Sequence, residues 1–152
     1  MTTITELCDQ FEELAEADGF PSITDADLDH LEKTLNVRLP TKYRQFLLRC
    51  NGGVTSSYRV FGVNAQHYDL TQQAADSKQY APEIVEAGML AIASDWGGNI
   101  LCLDLAKATA DDAPVCTWDH EAAEDPDEPA LQPFLTGIEG MLEWVLGVGE
   151  FE

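Results

Sequence analysis

The sequence predicts an α+β domain with N-terminal helices, an antiparallel-dominated sheet of about four to six strands and a C-terminal amphipathic helix packed on it. Apolar residues before Gly53 recur at steps of three and four, the spacing of helices. After Gly53 they alternate with polar residues or form short runs, as in strands. The last segment returns to helical spacing. Because helices and strands are segregated, we expect an antiparallel sheet rather than βαβ units.

The first two helices have recognisable ends. The spacing predicts a helix over Ile4–Ala17, and Asp18 and Gly19 end it. A second helix begins after Thr24, because a threonine hydroxyl can accept a hydrogen bond from a free N–H of the first turn.

A third helix begins at Pro40, since proline is tolerated in a first helical turn. It ends at Asn51–Gly53, where Asn and Gly can adopt the left-handed conformation of a helix C-cap. Residues 24–50 should therefore form two helices joined at Arg38–Pro40. Phe46 lies on the apolar face of the third helix and is predicted to be in the core.

The middle of the chain predicts strands and one hairpin. Strands are expected at Tyr58–Val63, Met89–Ser94, Ile100–Leu105 and Val115–Trp118. Residues 95–99 have the composition of a turn, so 89–105 should be a hairpin with a five-residue connection. Within 64–86 only a short helix at Asp69–Ser77 is predicted.

The C-terminal part combines an acidic loop with a helix. Residues 119–130 read DHEAAEDPDEPA, which predicts an exposed loop. One wide apolar stripe follows and predicts the amphipathic helix. It comprises Phe134, Leu135, Ile138, Met141, Leu142, Val145 and Leu146.

The length and charge limit the function classes. The 152 residues suit one domain, residues 1–152, which can bury a core without metal or disulfide. With 28 acids against 8 bases, the net charge is −20, which disfavours binding to nucleic acid or anionic membranes. The sequence has neither a run of about 18 apolar residues nor a secretory signal at its start, so the cytoplasm is the expected location.

Catalytic and metal-binding motifs are weak. Asp25, Asp27 and Asp29 resemble the start of a calcium loop, but His30 and Asn36 replace the glycine and glutamate that such a loop needs. The sequence contains neither a CxxC pair for zinc nor a nucleophile motif. We therefore predict no enzyme activity, no cofactor and no metal.

The four cysteines are scattered and lie in apolar segments. In the reducing cell interior they should be buried free thiols. A bridge between Cys102 and Cys116, on neighbouring strands, remains the alternative.

Two segments are candidate partner-binding sites. The first is the acidic loop, with six acids and no base in ten residues: Asp119, Glu121, Glu124, Asp125, Asp127 and Glu128. The second is the hairpin tip, with Asp95, Trp96 and Asn99. The Trp96 ring either folds back on the sheet or stays exposed as an interface anchor. The alternative for the loop is a solvated segment that contacts nothing.

Three stretches together resemble the SUKH superfamily. They are Ile23–Gly53 (ITDADLDHLEKTLNVRLPTKYRQFLLRCNGG), Leu90–Leu105 (LAIASDWGGNILCLDL) and Pro114–His120 (PVCTWDH). The block from LP to NGG is the most specific of these, and the resemblance extends over about residues 23–146. This superfamily includes bacterial immunity proteins and fungal cell-wall synthesis regulators.

The resemblance implies an α+β fold and a protein-binding role, and it provides no catalytic motif to carry over. Bacterial members typically bind and neutralise a cognate toxin domain, often a nuclease or deaminase, in polymorphic toxin systems. We therefore expect an immunity-type protein that occludes the active site or groove of a toxin. A basic toxin is a candidate partner. The alternative is a non-catalytic regulatory or scaffold module with a cellular partner.

Overall fold

The computed structural model describes residues 3–122, 127 and 129–147. The helices in this part of the chain are α1 Ile4–Leu14, α2 Asp25–Leu35, α3 Thr41–Arg49, α4 Leu70–Tyr80, α5 Pro82–Glu86 and α6 Ile138–Leu146. The strands are β1 Gly53–Val54, β2 Tyr58–Val60, β3 Met89–Asp95, β4 Ile100–Asp104, β5 Val115–Trp118 and β6 Leu131–Leu135. A short 3₁₀ turn follows β4 at Leu105–Lys107.

All neighbouring strands are antiparallel, and the order in the six-stranded sheet follows the order in the chain. Three helices precede the sheet, α4 and α5 are inserted between β2 and β3, and α6 follows β6. The predicted α+β class is confirmed. The two helices predicted within residues 24–50 and the three neighbouring strands within 89–118 are also present.

Local capping explains the helix starts. The Thr3 hydroxyl accepts a hydrogen bond from the Glu6 N–H at the start of α1. Thr24 and Asp27 form a reciprocal capping box at the start of α2. The first helix ends three residues before the predicted Ala17, because Glu16 instead pairs with Val54 in a β-bridge.

The sheet is covered on both faces. Trp118 faces α4 and α5, where its indole N–H donates to Glu83 and its ring meets that of Tyr80 at 6.3 Å. The opposite face meets α6, where Trp144 contacts Tyr58 and Phe134, and α6 also packs against α1. All five residues of β4 are buried, as expected for a central strand with both faces covered.

The predicted core position of Phe46 is confirmed. Its side chain is fully buried, and its ring packs edge to face against Phe11 at 5.2 Å. Tyr43 and Leu47 are buried on the same helix face. This contact joins α3 to α1, and both helices contribute to one core cluster with the sheet.

The basic residues of α3 hold distant elements together. Arg44 contacts acids of α2, and Arg49 contacts Asp9 and Glu12 of α1. Lys42 binds Glu139 of α6 at 2.7 Å, which connects α3 to the end of the chain. Three cations in one short helix are therefore neutralised by acids from three other helices.

The prediction that Phe134 and Leu135 belong to the last helix was wrong. Both lie in β6, which pairs with β5, and α6 begins only at Ile138. Gly137 has an extended backbone, and the Asp112 carboxylate accepts a hydrogen bond from the Ile138 N–H. The apolar stripe thus combined the end of a strand with the start of a helix.

Other boundaries also differ from the predictions. The strand predicted at Tyr58–Val63 ends at Val60, and the helix predicted at Asp69–Ser77 extends from Leu70 to Tyr80. β1, β6 and α5 were not predicted. None of the helices in residues 3–122 and 129–147 is long and apolar enough to cross a membrane.

All four cysteines are buried free thiols, as predicted. Cys102 and Cys116 lie directly opposite each other on β4 and β5 but form no bridge. Cys50, at the end of α3, donates a hydrogen bond from its thiol to the main-chain oxygen of Cys8 at 3.4 Å.

Candidate partner-binding surface

The hairpin tip is a structured turn. The Asp95 Oδ1 atom accepts hydrogen bonds from the backbone N–H groups of Gly97 and Asn99, both at 2.9 Å. Gly98 has a φ of +96°, a conformation that favours glycine. Asp95 belongs to β3, so the connection comprises the four residues 96–99 and not the predicted five. It is fixed by the Asp95 side chain and by one left-handed glycine.

Trp96 is held at the tip and remains exposed. Its indole N–H donates to the main-chain oxygen of Ser56 at 3.1 Å, yet 58% of the residue surface is accessible. The Arg59 guanidinium lies 4.6 Å from the Trp96 ring centroid and 5.3 Å from that of Tyr68. Trp96 is thus a large, oriented aromatic surface backed by a cation.

The two candidate sites meet at one hydrogen-bonded contact. The Asn99 Oδ1 atom accepts a hydrogen bond from the His120 N–H at 3.2 Å and lies 3.1 Å from the His120 Nδ1. A Cβ atom at Gly98 would lie 3.3 Å from the same imidazole. The hairpin tip therefore packs directly on the start of the acidic loop.

The acidic loop is described in part. Asp119 starts it, and its Oδ1 accepts a hydrogen bond from the Glu121 N–H at 2.9 Å, while Glu121 is exposed. Asp127 is also exposed. The other three predicted acids, Glu124, Asp125 and Glu128, lie outside the described residues.

A cleft of about 270 Å³ opens beside this contact, between the ends of the strands and α6. Side chains from five strands line it, and one wall comes from α6. The lining residues are Tyr58, Asp95, Asn99, Ile100, Leu101, Thr117, Asp119, Gln132, Phe134 and Trp144. It contains one predicted residue of the acidic loop and two of the hairpin tip.

Strand register explains how these residues meet. Tyr58 lies opposite Asp95, and Thr117 lies opposite both Leu101 and Gln132. Because side chains alternate between the faces of a sheet, these residues all project toward α6.

The outer wall of the cleft is aromatic. The rings of Phe134 and Trp144 pack edge to face at 4.8 Å, and the Trp144 indole N–H donates to the Tyr58 hydroxyl. Trp144 is partly exposed, and 39% of the surface of Phe134 is accessible.

Local patterns in the sequence do not identify this wall as part of a site. Phe134 had been assigned to a helix, and Tyr58 and Gln132 reach the cleft only through pairing with distant strands. One signal was available in β5, where the partly exposed Thr117 lies between the buried Cys116 and Trp118. A polar residue at that position indicates that one face of the strand is open.

Three of the four buried cysteines have raised pKa values, while the hydrogen bond with Cys50 lowers the pKa of Cys8. Burial raises the pKa of the Cys102 thiol and of the Cys116 thiol, and a hydrogen bond with Cys8 raises the pKa of Cys50. A thiol with a raised pKa is a weak nucleophile at neutral pH. Among the described residues, no group of three or more His, Cys, Asp or Glu side chains could hold a metal ion.

Comparison with solved structures shows another protein with the same fold. A crystal structure of a protein from Pseudomonas syringae pv. tomato superimposes with a TM-score of 0.65 at 17% identity. The match covers 92% of this chain and 93% of that one, which shows a shared fold over nearly the whole length. None of the curated proteins matches the sequence.

Comparison with protein families agrees with the resemblance seen in the sequence. The SMI1 / KNR4 family (SUKH-1) matches residues 22–136, which include α2 through β6. The match contains the LP-to-NGG block, the hairpin and β5. The chain therefore belongs to the SMI1 / KNR4 family (SUKH-1).

Proposed function

We propose that this protein is an immunity protein that binds a cognate bacterial toxin domain, such as a nuclease or deaminase, without covalent bonds. It neutralises the toxin by covering its active site or substrate groove. Membership of a family known for immunity proteins supports this proposal. The protein itself performs no reaction, and it acts in the cytoplasm.

The contact between Asn99 and His120 is the observation that carries the proposal. It brings the hairpin tip that carries the exposed Trp96 against His120, at the start of the acid-rich segment. Tryptophan is enriched among the residues that dominate interface energetics. Acids around such an anchor accelerate the encounter with a partner of opposite charge.

The acidity of this surface suits a basic partner. A toxin that cleaves or modifies nucleic acid must hold a phosphate backbone, and it does so with lysine and arginine. An acidic surface can occupy the same groove and compete for the same cations. The net charge of −20 makes the whole protein favourable for such an encounter.

The proposal is tested by co-expressing this protein with the product of the gene next to its own. We expect the two proteins to co-purify and the growth defect caused by that product to disappear. The proposal is wrong if the neighbouring product is toxic but neither binds nor is neutralised. A partner that is not a toxin would instead favour a regulatory or scaffold role.

A pair of alanine variants locates the surface. Trp96→Ala should weaken the complex about 30-fold, the effect of losing an interface anchor worth about 2 kcal/mol. Leu14→Ala is the matched control, since Leu14 is 62% exposed on α1. Equal affinity of the two variants would exclude the hairpin tip from the interface.

A further inference from the structure

Two carboxylates at the cleft lack a cationic partner within the described chain. Asp95 and Asp119 both use Oδ1 to accept backbone N–H groups. Neither forms an ion pair with any lysine or arginine in the described residues, and neither Oδ2 atom receives a hydrogen bond there.

The nearest arginine is committed elsewhere. Arg59 lies on β2, beside β3, but its Nη2 atom donates to the main-chain oxygen of Asp95 rather than to the carboxylate. Its guanidinium stacks on the ring of Trp96. No cation of the described residues therefore pairs with the carboxylates that face the cleft.

The positions of the two acids leave room for a cation between them. Asp95 ends β3 and Asp119 follows β5, and β4 separates these strands. Since neighbouring strands lie about 4.8 Å apart, the two backbones are about 10 Å apart at this edge. The Thr117 hydroxyl and the Gln132 amide add oxygen acceptors along the cleft.

The size of the cleft limits what can enter. Its volume of about 270 Å³ is below the roughly 300–1,000 Å³ of pockets that hold drug-sized ligands. One wall is formed by Phe134 and Trp144. A long side chain with a flat, cationic end fits this combination of size, aromatic wall and acceptors.

We infer that this cleft binds a single arginine side chain of the partner protein, between Asp95 and Asp119 and against the aromatic wall. The inference rests on the proposed function, since it names the group by which the toxin is held. A guanidinium has five N–H donors and no acceptor, and it stacks on aromatic rings. The compact ammonium group of lysine would leave the wall unused.

A small probe tests the inference without the toxin. The probe is N-acetyl-arginine N-methylamide, titrated into the full-length protein and followed by NMR. We expect saturable binding in the millimolar range, with shifts at the Trp144 indole N–H and at the amides of Asp95, Asn99 and Asp119. The citrulline analogue, which has the same shape without the charge, should bind about tenfold more weakly or not at all.

A double variant and a charge-matched control locate the site. Asp95→Asn with Asp119→Asn keeps the oxygen acceptors of both turns and should weaken the arginine probe at least about tenfold. Glu13→Gln with Glu86→Gln removes the same charge from exposed positions outside the cleft and should leave binding unchanged. The backbone NMR spectrum of each variant verifies its fold.

Several results would overturn the inference. These are the absence of saturable binding in the millimolar range, equal binding of the arginine and citrulline probes, or equal loss in both double variants. Equal binding of the lysine analogue would show that the cleft recognises charge rather than a guanidinium. Failure of the probe together with neutralisation of the toxin would reject the arginine cleft and leave the proposed function standing.

Discussion

The third helix and the end of the sheet that carries the cleft differ in how their charged side chains are paired. On α3, Lys42, Arg44 and Arg49 are each neutralised by two or more acids from other parts of the chain. At that end of the sheet, Asp95 and Asp119 have no ion-pair partner among the described residues.

This difference indicates that the paired charges of α3 support the fold, whereas the unpaired acids of the cleft are available for binding. Ion pairs that link α3 to α1, α2 and α6 fix how the helices pack, and they leave no charge for a partner. The carboxylates of Asp95 and Asp119 stabilise their own turns by accepting backbone N–H groups, but no cation of the described chain neutralises their charge. That unneutralised charge becomes favourable only when a cation from another molecule arrives. The comparison therefore predicts that variants of α3 affect folding, and variants of the cleft affect binding.

The largest effect should come from the core beneath α3. Phe46→Ala should lower the free energy of unfolding by about 3–5 kcal/mol, because it removes a fully buried ring and leaves a cavity. Denaturant melts measure the change. Leu48→Ala is the control on the same helix, since Leu48 is 37% exposed and should cost far less. A loss below about 1 kcal/mol for Phe46→Ala would show that this ring is not a core residue.

A second variant of α3 should raise stability. The Tyr43 hydroxyl is buried, and no described residue forms a hydrogen bond with it. Tyr43→Phe should therefore stabilise the protein by about 1–2 kcal/mol, since an unsatisfied buried group is removed. Thermal or denaturant melts of the two proteins at neutral pH check the sign. A loss of stability would indicate that the hydroxyl has a partner.

The stability difference between the wild type and Tyr43→Phe should depend on pH. Burial raises the pKa of Tyr43 above its usual value of 10. The unfolded chain can lose this proton above pH 10 while the folded protein keeps it, so the wild type loses stability as the pH rises above 10. Tyr43→Phe lacks this loss, and its advantage should increase between neutral pH and pH values above 10. A constant difference would contradict the assignment.

The ion pairs of α3 should contribute a smaller amount. Arg44→Met keeps most of the side-chain stem and should cost about 1 kcal/mol, near the upper end for pairs at a protein surface. High salt should reduce the difference, because it screens the wild-type pairs. Lys33→Met is the control, since Lys33 is exposed on α2 and has no ion pair among the described residues. Equal losses of stability in both variants would show that the ion pairs of Arg44 do not stabilise the protein.

Cleft variants should have the smallest effect on stability. Asp119→Asn keeps the oxygen that accepts the Glu121 N–H and removes a charge that has no cationic partner in the described chain. The free energy of unfolding should change by no more than about 0.5 kcal/mol. A loss of stability as large as that of Arg44→Met would show that Asp119 supports the fold. It would contradict the proposed difference between α3 and the cleft.

The predictable part of the fold was set by local chemistry. Thr24 caps α2, and Asn51–Gly53 follows the end of α3 as its composition indicated. The turn between β3 and β4 also follows from its own residues, since the Asp95 side chain binds the backbone of the same turn. Such features need no knowledge of the rest of the chain.

The parts that escaped prediction depend on distant pairing. Phe134 fits a helical stripe, and only the partnership of β6 with β5 makes it a strand residue. Asp95 and Asp119 were identified from composition as members of rival sites. Their shared cleft depends on the register of β3, β4 and β5, which no local pattern specifies.

The most direct test of the account compares how fast the cognate toxin associates with two charge-reversed proteins. One carries Glu121→Lys, Glu124→Lys and Asp127→Lys in the acidic loop. The other carries three reversals at exposed acids elsewhere: Glu13, Asp18 and Glu86. Both have the same net charge, so any difference between them reports the location of the acids and not their number.

Stopped-flow measurement of the association rate at several ionic strengths gives the result. The loop variant should associate at least about tenfold more slowly than the wild type at low salt, and its association rate should depend less on salt. The control variant should retain most of the wild-type rate. An unchanged association rate for the loop variant at low salt would contradict the claim that this acidic surface meets the toxin.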